Sequence, residues 1–155
     1  MKILAIILWG KEKIDLVLFP KEFNQMKKAI YDALNMYAND VRASIEIKEA
    51  RLTSRRRQYE ALVKYVSSIS QEYDLIIFIA HTKGVCFIPE EGLHGTNAIF
   101  IQLSLSPCKL PQKACSVKII NKEEKQYGNL AHASHYKYTS QQIYEALKSI
   151  KPCIY

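Results

Sequence analysis

Unbroken apolar runs alternate along this chain with stretches whose apolar residues recur every three or four positions. KILAIILW (2–9) is apolar after its first residue and is followed by Gly10, as expected of a central strand covered on both faces. IDLVLF (14–19) is a second short apolar run, closed by Pro20. From Lys21 to Tyr37, the apolar residues Phe23, Met26, Ile30, Ala33, Leu34 and Tyr37 fall at helical intervals. That spacing predicts a helix over 21–37 with one buried face, and Pro20 suits its first turn. VRASIEIK (41–48) alternates instead. Val41, Ala43, Ile45 and Ile47 take one side and Arg42, Ser44, Glu46 and Lys48 the other, the pattern of a half-exposed strand.

Thr53 or Ser54 is placed to cap a second helix over 55–70, whose buried stripe is Tyr59, Leu62, Val63, Val66 and Ile69. DLIIFIA (74–80) reads as another buried strand. GVCFI (84–88) follows after three residues, too few for a crossover, so the two are expected to pair as an antiparallel hairpin. PEEGLHGTN (89–97) is a loop, AIFIQLSL (98–105) a strand, SPCKLPQKAC (106–115) a loop with two prolines, and SVKII (116–120) a last strand. Thr139 with Gln142 three residues on forms a capping-box pattern. It opens a helix through Ile143, Tyr144, Leu147 and Ile150 that stops before Pro152. Strands alternating with helices predict an α/β fold: one three-layer sandwich, its mixed, mostly parallel sheet carrying helices on both faces.

The chain has 155 residues, of which 48% are hydrophobic and 24% charged. These values suit a single globular α/β domain over 1–155 and exclude wholesale disorder. The charged Lys11, Glu12 and Lys13 after the first apolar run argue for a buried strand there rather than a signal peptide. No apolar run approaches the ~20 residues of a membrane span. The expected location is cytoplasmic, with Cys86, Cys108, Cys115 and Cys153 reduced. Their spacing matches no usual zinc pattern. A Cys108–Cys115 disulfide is the pairing considered for an oxidising compartment or a hyperthermophile cytosol.

Charge changes the picture more. The net formal charge is +7, and all five arginines, Arg42, Arg51, Arg55, Arg56 and Arg57, lie within residues 42–57. With Ser54 as cap, Arg55, Arg56 and Arg57 occupy the first turn of a helix, where the macrodipole disfavours cations unless an anion is present. Outward-pointing backbone N–H groups there also hold phosphates. The alternative is a solvated basic turn neutralised by Glu46, Glu49 and Glu60. This segment, extended by Lys64 along the same helix, is the candidate site for a polyanion, nucleic acid above all.

Within the same segment, Glu46-Ile47-Lys48 puts a carboxylate and a lysine on one strand face. Metal-dependent hydrolysis needs such a pair: the carboxylate holds the cation and the lysine stabilises the attacking water. A helix with Arg56, Gln58 and Tyr59 follows. The order resembles the (D/E)xK strand and succeeding helix of the restriction-endonuclease-like nucleases, over Asp40 to Ile88. The resemblance implies Mg or Mn as cofactor, Glu46 as metal ligand and catalytic residue, Lys48 as its partner, and Asp40 or Asp74 as second acid. Asp40 stands only six residues before Glu46, closer than that family's hairpin strand allows.

A second set of residues, YDLIIFIAH (73–81), AIFIQLSLSPC (98–108) and HYKYTSQQIYEAL (135–147), resembles the segment order of caspase-like cysteine peptidases. By position the resemblance implies His81 as base and Cys108 as nucleophile, or an inactive relative that has lost the dyad. Thr82 and Lys83 separate His81 from Gly84, and the position two after Gln102 holds Ser104. His132 and His135 offer two imidazoles at i, i+3, short of a closed metal site. A polar loop before the last helix accounts for them. No P-loop, GxGxxG or GxSxG motif is present. A partner-binding protein without chemistry is the remaining alternative.

Overall fold

A computed structural model describes residues 1–10, 17–52, 56–128 and 132–155. The continuous apolar runs form the centre of a parallel sheet. β1 (Lys2–Trp9), β3 (Leu75–His81) and β4 (Asn97–Leu103) lie side by side, flanked by β2 (Ser44–Arg51) next to β1 and β5 (Ser116–Ile119) next to β4. All four neighbouring pairs are parallel. A two-residue strand, β6 (Cys153–Ile154), runs antiparallel against the start of β4. Every residue of β3 is buried, because helices or loops cover both of its faces.

α1 (Pro20–Asp40) opens on Pro20 and buries Phe23, Met26, Ile30, Ala33 and Leu34 against one sheet face. α4 (Ser140–Ser149) joins it there through Ile143 and Leu147, and its capping box, Thr139 with Gln142, forms as the sequence predicts. α2 (Arg56–Ile69) covers the opposite face. The α/β three-layer sandwich with helices on both faces is therefore the fold of this chain. The predicted caps Thr53 and Ser54, and Ile14 to Leu16 of the second apolar run, lie outside the described residues.

Three expectations change. Residues 84–88 form no hairpin strand: Thr82–Phe87 is a 3-10 helix, and β3 pairs with β4 in parallel. The segment is apolar because Val85 and Ile88 pack down onto the sheet face, not because they extend it. Thr82 takes the left-handed conformation (φ 51) that turns the chain out of the sheet. The strand predicted at 41–48 begins instead at Ser44, since Arg42 (φ 54) makes the turn out of α1. The cysteines are paired, and not as Cys108–Cys115. Cys86 bonds Cys108 and Cys115 bonds Cys153, with Cα separations of 5.2 and 5.5 Å. Both bridges tie together 3-10, loop and short-strand segments on the α2 side of β4. α3 (Lys122–Tyr127) is a short helix after β5.

Candidate polyanion site

The five parallel strands end along one rim, at Trp9, Arg51, His81, Leu103 and Ile119. The chain leaves β1 toward β2 on one side and β3 toward β4 on the other. Open α/β sheets take ligands at such a divergence, in the crevice outside the carboxyl ends of the strands. The turn after β3 lies close against β1. A side chain at Gly84 would run into the Leu8 carbonyl, so only glycine allows that approach.

The predicted basic residues divide between the two ends of the sheet. Arg51 is the last residue of β2, and its guanidinium sits 5.2 Å from the centre of the Phe23 ring, a cation–π contact that steadies it at the rim. Arg56 and Arg57 open α2 at the same rim and are exposed. Arg56 Nε donates to Glu60 Oε1 at 3.0 Å, an exposed i,i+4 pair. Lys64 is exposed two turns further along α2. Arg55 lies outside the described residues. Arg42 belongs elsewhere: it precedes β2, at the amino ends of the strands, opposite the rim. The eight residues of β2 span roughly 23 Å at about 3.3 Å per step. Nearness in sequence is undone by a strand running between.

Glu46 and Lys48 do share a face of β2, the one toward α2, as alternation requires. Lys48 Nζ donates to Tyr65 OH at 2.6 Å and lies 5.1 Å from that ring's centre. This hydrogen bond, with the Tyr65 oxygen beside it, raises the Lys48 pKa. Glu46 accepts from Tyr73, whose phenol is pushed up first by burial and then by that hydrogen bond. Lys48, but not Glu46, lines a groove of about 310 Å³ between β2 and α2, together with Ile6, Glu49, Ala50, Leu62 and Tyr65. Asp40 ends α1 on the other face and accepts a hydrogen bond from Tyr144 of α4. Asp74 stands beside β1, where its Oδ2 accepts from the Lys2 backbone at 2.7 Å. Among the described residues no three His, Cys, Asp or Glu side chains gather as a cation site.

His81 and Cys108 form no dyad. Cys108 is consumed by its disulfide to Cys86, which leaves no thiolate to attack. His81 is fully buried, with Nε2 2.7 Å from the His135 carbonyl oxygen. It belongs to a polar cluster that strand and helix periodicity do not reveal. Ser104 Oγ lies 2.9 Å from His135 Nδ1, and Glu124 Oε2 lies 3.9 Å from that same nitrogen. Tyr138 OH donates to Glu124 Oε1, and burial followed by this bond drives its pKa upward. Ser104 (φ 70) holds a left-handed conformation and is wholly buried, as is Glu124. The cluster is buried and joins the residue after β4 to α3 and to the segment 133–138. The polar segment 132–138, expected to be a loop, is buried at Ser134, His135 and Tyr136. No sequence signal separates it from an exposed loop.

The protein-family models, the curated proteins and the solved structures contain no match to this chain. Among the described residues no helix is long and apolar enough to cross a membrane.

Proposed function

We propose that the protein binds a phosphate-bearing polyanion, nucleic acid first, along the carboxyl rim of its sheet. The observation that carries this reading is the position of Arg51, Arg56 and Arg57 at that rim, where β2 ends beside β1 and α2 begins. The amino terminus of α2 adds its positive dipole end at the same place, and the net charge of +7 supplies long-range attraction. Arg42 contributes to that general field but not to the rim.

Binding to short single- and double-stranded DNA and RNA across a salt series tests the reading, because each cation on a phosphate adds about 0.7–0.9 to the salt slope. Replacing Arg55, Arg56 and Arg57 together with alanine is expected to lower the slope by about 2 and to weaken binding at every sequence. Arg42→Ala is expected to leave both nearly unchanged. Absence of binding at low ionic strength, or a larger effect from Arg42 than from the triple substitution, removes the proposal.

Cleavage is a second reading. The observation favouring it is that Glu46 and Lys48 share one strand face, with Lys48 lining the groove. It predicts loss of Mg- or Mn-dependent cleavage in Glu46→Gln with binding retained. No cleavage by the wild-type chain of any substrate with either metal ends it.

A further inference from the structure

β2 is the last strand of the sheet on its side, so one of its edges has no partner strand among the described residues. Its register fixes which backbone groups face outward. Ser44 N–H donates to the Met1 carbonyl and Leu52 N–H to the Trp9 carbonyl. Even-numbered residues of β2 therefore turn their N–H and C=O toward β1. By strand alternation Ile45, Ile47, Glu49 and Arg51 turn theirs to the open edge.

We propose that this edge pairs with the β2 edge of a second copy of the chain, antiparallel, about a two-fold axis through Ile47. A two-fold perpendicular to the sheet keeps each face continuous and sets residue 47 opposite 47, 45 opposite 49 and 46 opposite 48. The outward groups of Ile47 then exchange two backbone hydrogen bonds with their symmetry copies, and each Ile45–Glu49 pair exchanges two more. On the α2 face Glu46 stands directly opposite the partner's Lys48, twice over. These are non-hydrogen-bonded positions, where side chains approach closest.

Charge selects this register over its neighbours. Sliding the axis to residue 46 puts Glu46 against Glu46, and sliding it to 48 puts Lys48 against Lys48, both repulsive. Charges on an edge strand ordinarily block pairing. Here the sequence Glu-Ile-Lys is complementary to itself when reversed, so the same charges admit one partner and one register. The inference is independent of the polyanion reading, since the arginine rim plays no part in it.

Sedimentation velocity of the full chain near physiological salt is expected to show a species of twice 17.9 kDa at high concentration. Ile47→Pro deletes an outward N–H, which an edge strand tolerates, and trims a side chain only partly buried against the core; it is expected to give a folded monomer by circular dichroism. Glu46→Lys and Lys48→Glu each set like charges across the axis and are expected to weaken dimerisation at least tenfold. The double exchange E46K/K48E recreates the opposite pairs and is expected to restore it. A wild-type chain monomeric at the highest soluble concentration overturns the proposal. So do single exchanges that leave dimerisation intact, or a folded double exchange that stays monomeric. A heavier species unaffected by all four variants assigns association to another surface and overturns it equally.

Discussion

The carboxylate of Glu49 joins two elements to the edge strand. Its Oε1 accepts from Trp9 Nε1 of β1 at 2.8 Å, and its Oε2 accepts from Tyr31 OH of α1 at 2.7 Å and lies 3.0 Å from Lys27 Nζ. Burial alone would raise the Glu49 pKa, but these three donors outweigh it and hold the carboxyl below its ordinary 4.5. Tyr31 moves the other way, up to about 12, through burial and then its bond to Glu49. A carboxyl whose folded value is depressed stabilises the fold in full above its ordinary pKa, and that contribution is lost as pH falls through the folded value. Glu49→Gln is therefore expected to cost about 1–2 kcal/mol at neutral pH, the charge-assisted bonds being discounted for a partly exposed site. The gap from wild type should close below pH 4.5. Urea titrations of both chains from pH 7 downward check this, and a gap constant with pH excludes the ionised carboxylate as its source. Alternation made the Glu46 and Lys48 face legible, but the strand was read only to Lys48, and Glu49 entered only as a charge that could neutralise the arginines. Its partners come from β1 and α1, which no local pattern connects to it.

The two principal helices show how far element-scale patterns reach. Both were legible from three- and four-residue spacing, yet they are packed differently. α1 buries seven residues, from Phe23 to Ala38, whereas α2 buries only Val66 completely. Leu62 and Tyr65 stay half-buried above the groove beside β2, and Ile69 is also only partly buried. A helix with little buried surface opens at lower free energy than its neighbours. The amides of α2 are thus expected to exchange with deuterium well before those of α1. A polyanion on Arg56 and Arg57 should slow α2 exchange while leaving α1 unchanged, because binding stabilises the closed state. Hydrogen-exchange mass spectrometry reads both, and equal protection of the two helices would contradict the packing argument. Periodicity was a poor guide where no regular element forms. GVCFI has the apolar content of a strand because it lies across a sheet face, and composition does not distinguish lying across from joining. β6 was not legible at all, since two residues carry no period.

At the scale of the whole molecule the sheet was readable because three runs of strand length were nearly all apolar, which only strands covered on both faces require. What covers each face was not readable. One face receives α1 and α4. The other receives α2 and the irregular segments around 82–96 and 104–115, and there the cysteines supply the missing constraint. Cys86–Cys108 spans 22 residues and joins the turn after β3 to the loop after β4. Cys115–Cys153 spans 38 and ties β6, which pairs with β4, to the residue just before β5. Sequence spacing gave no hint of this pairing, because it depends on which loops cross the same face. In the chain-entropy account, loops of these lengths restrict the unfolded chain by about 3 and 4 kcal/mol respectively. For a chain of this size each kcal/mol moves the midpoint by about 2–4 °C. Cys86→Ser with Cys108→Ser is expected to lower Tm by roughly 10 °C. Full reduction of the wild-type chain should lower Tm further. Thiol titration of the unreduced, denatured protein should find no free thiol, and four after reduction. Four reactive thiols without reductant, or a Tm indifferent to reduction, would show that packing alone closes this face.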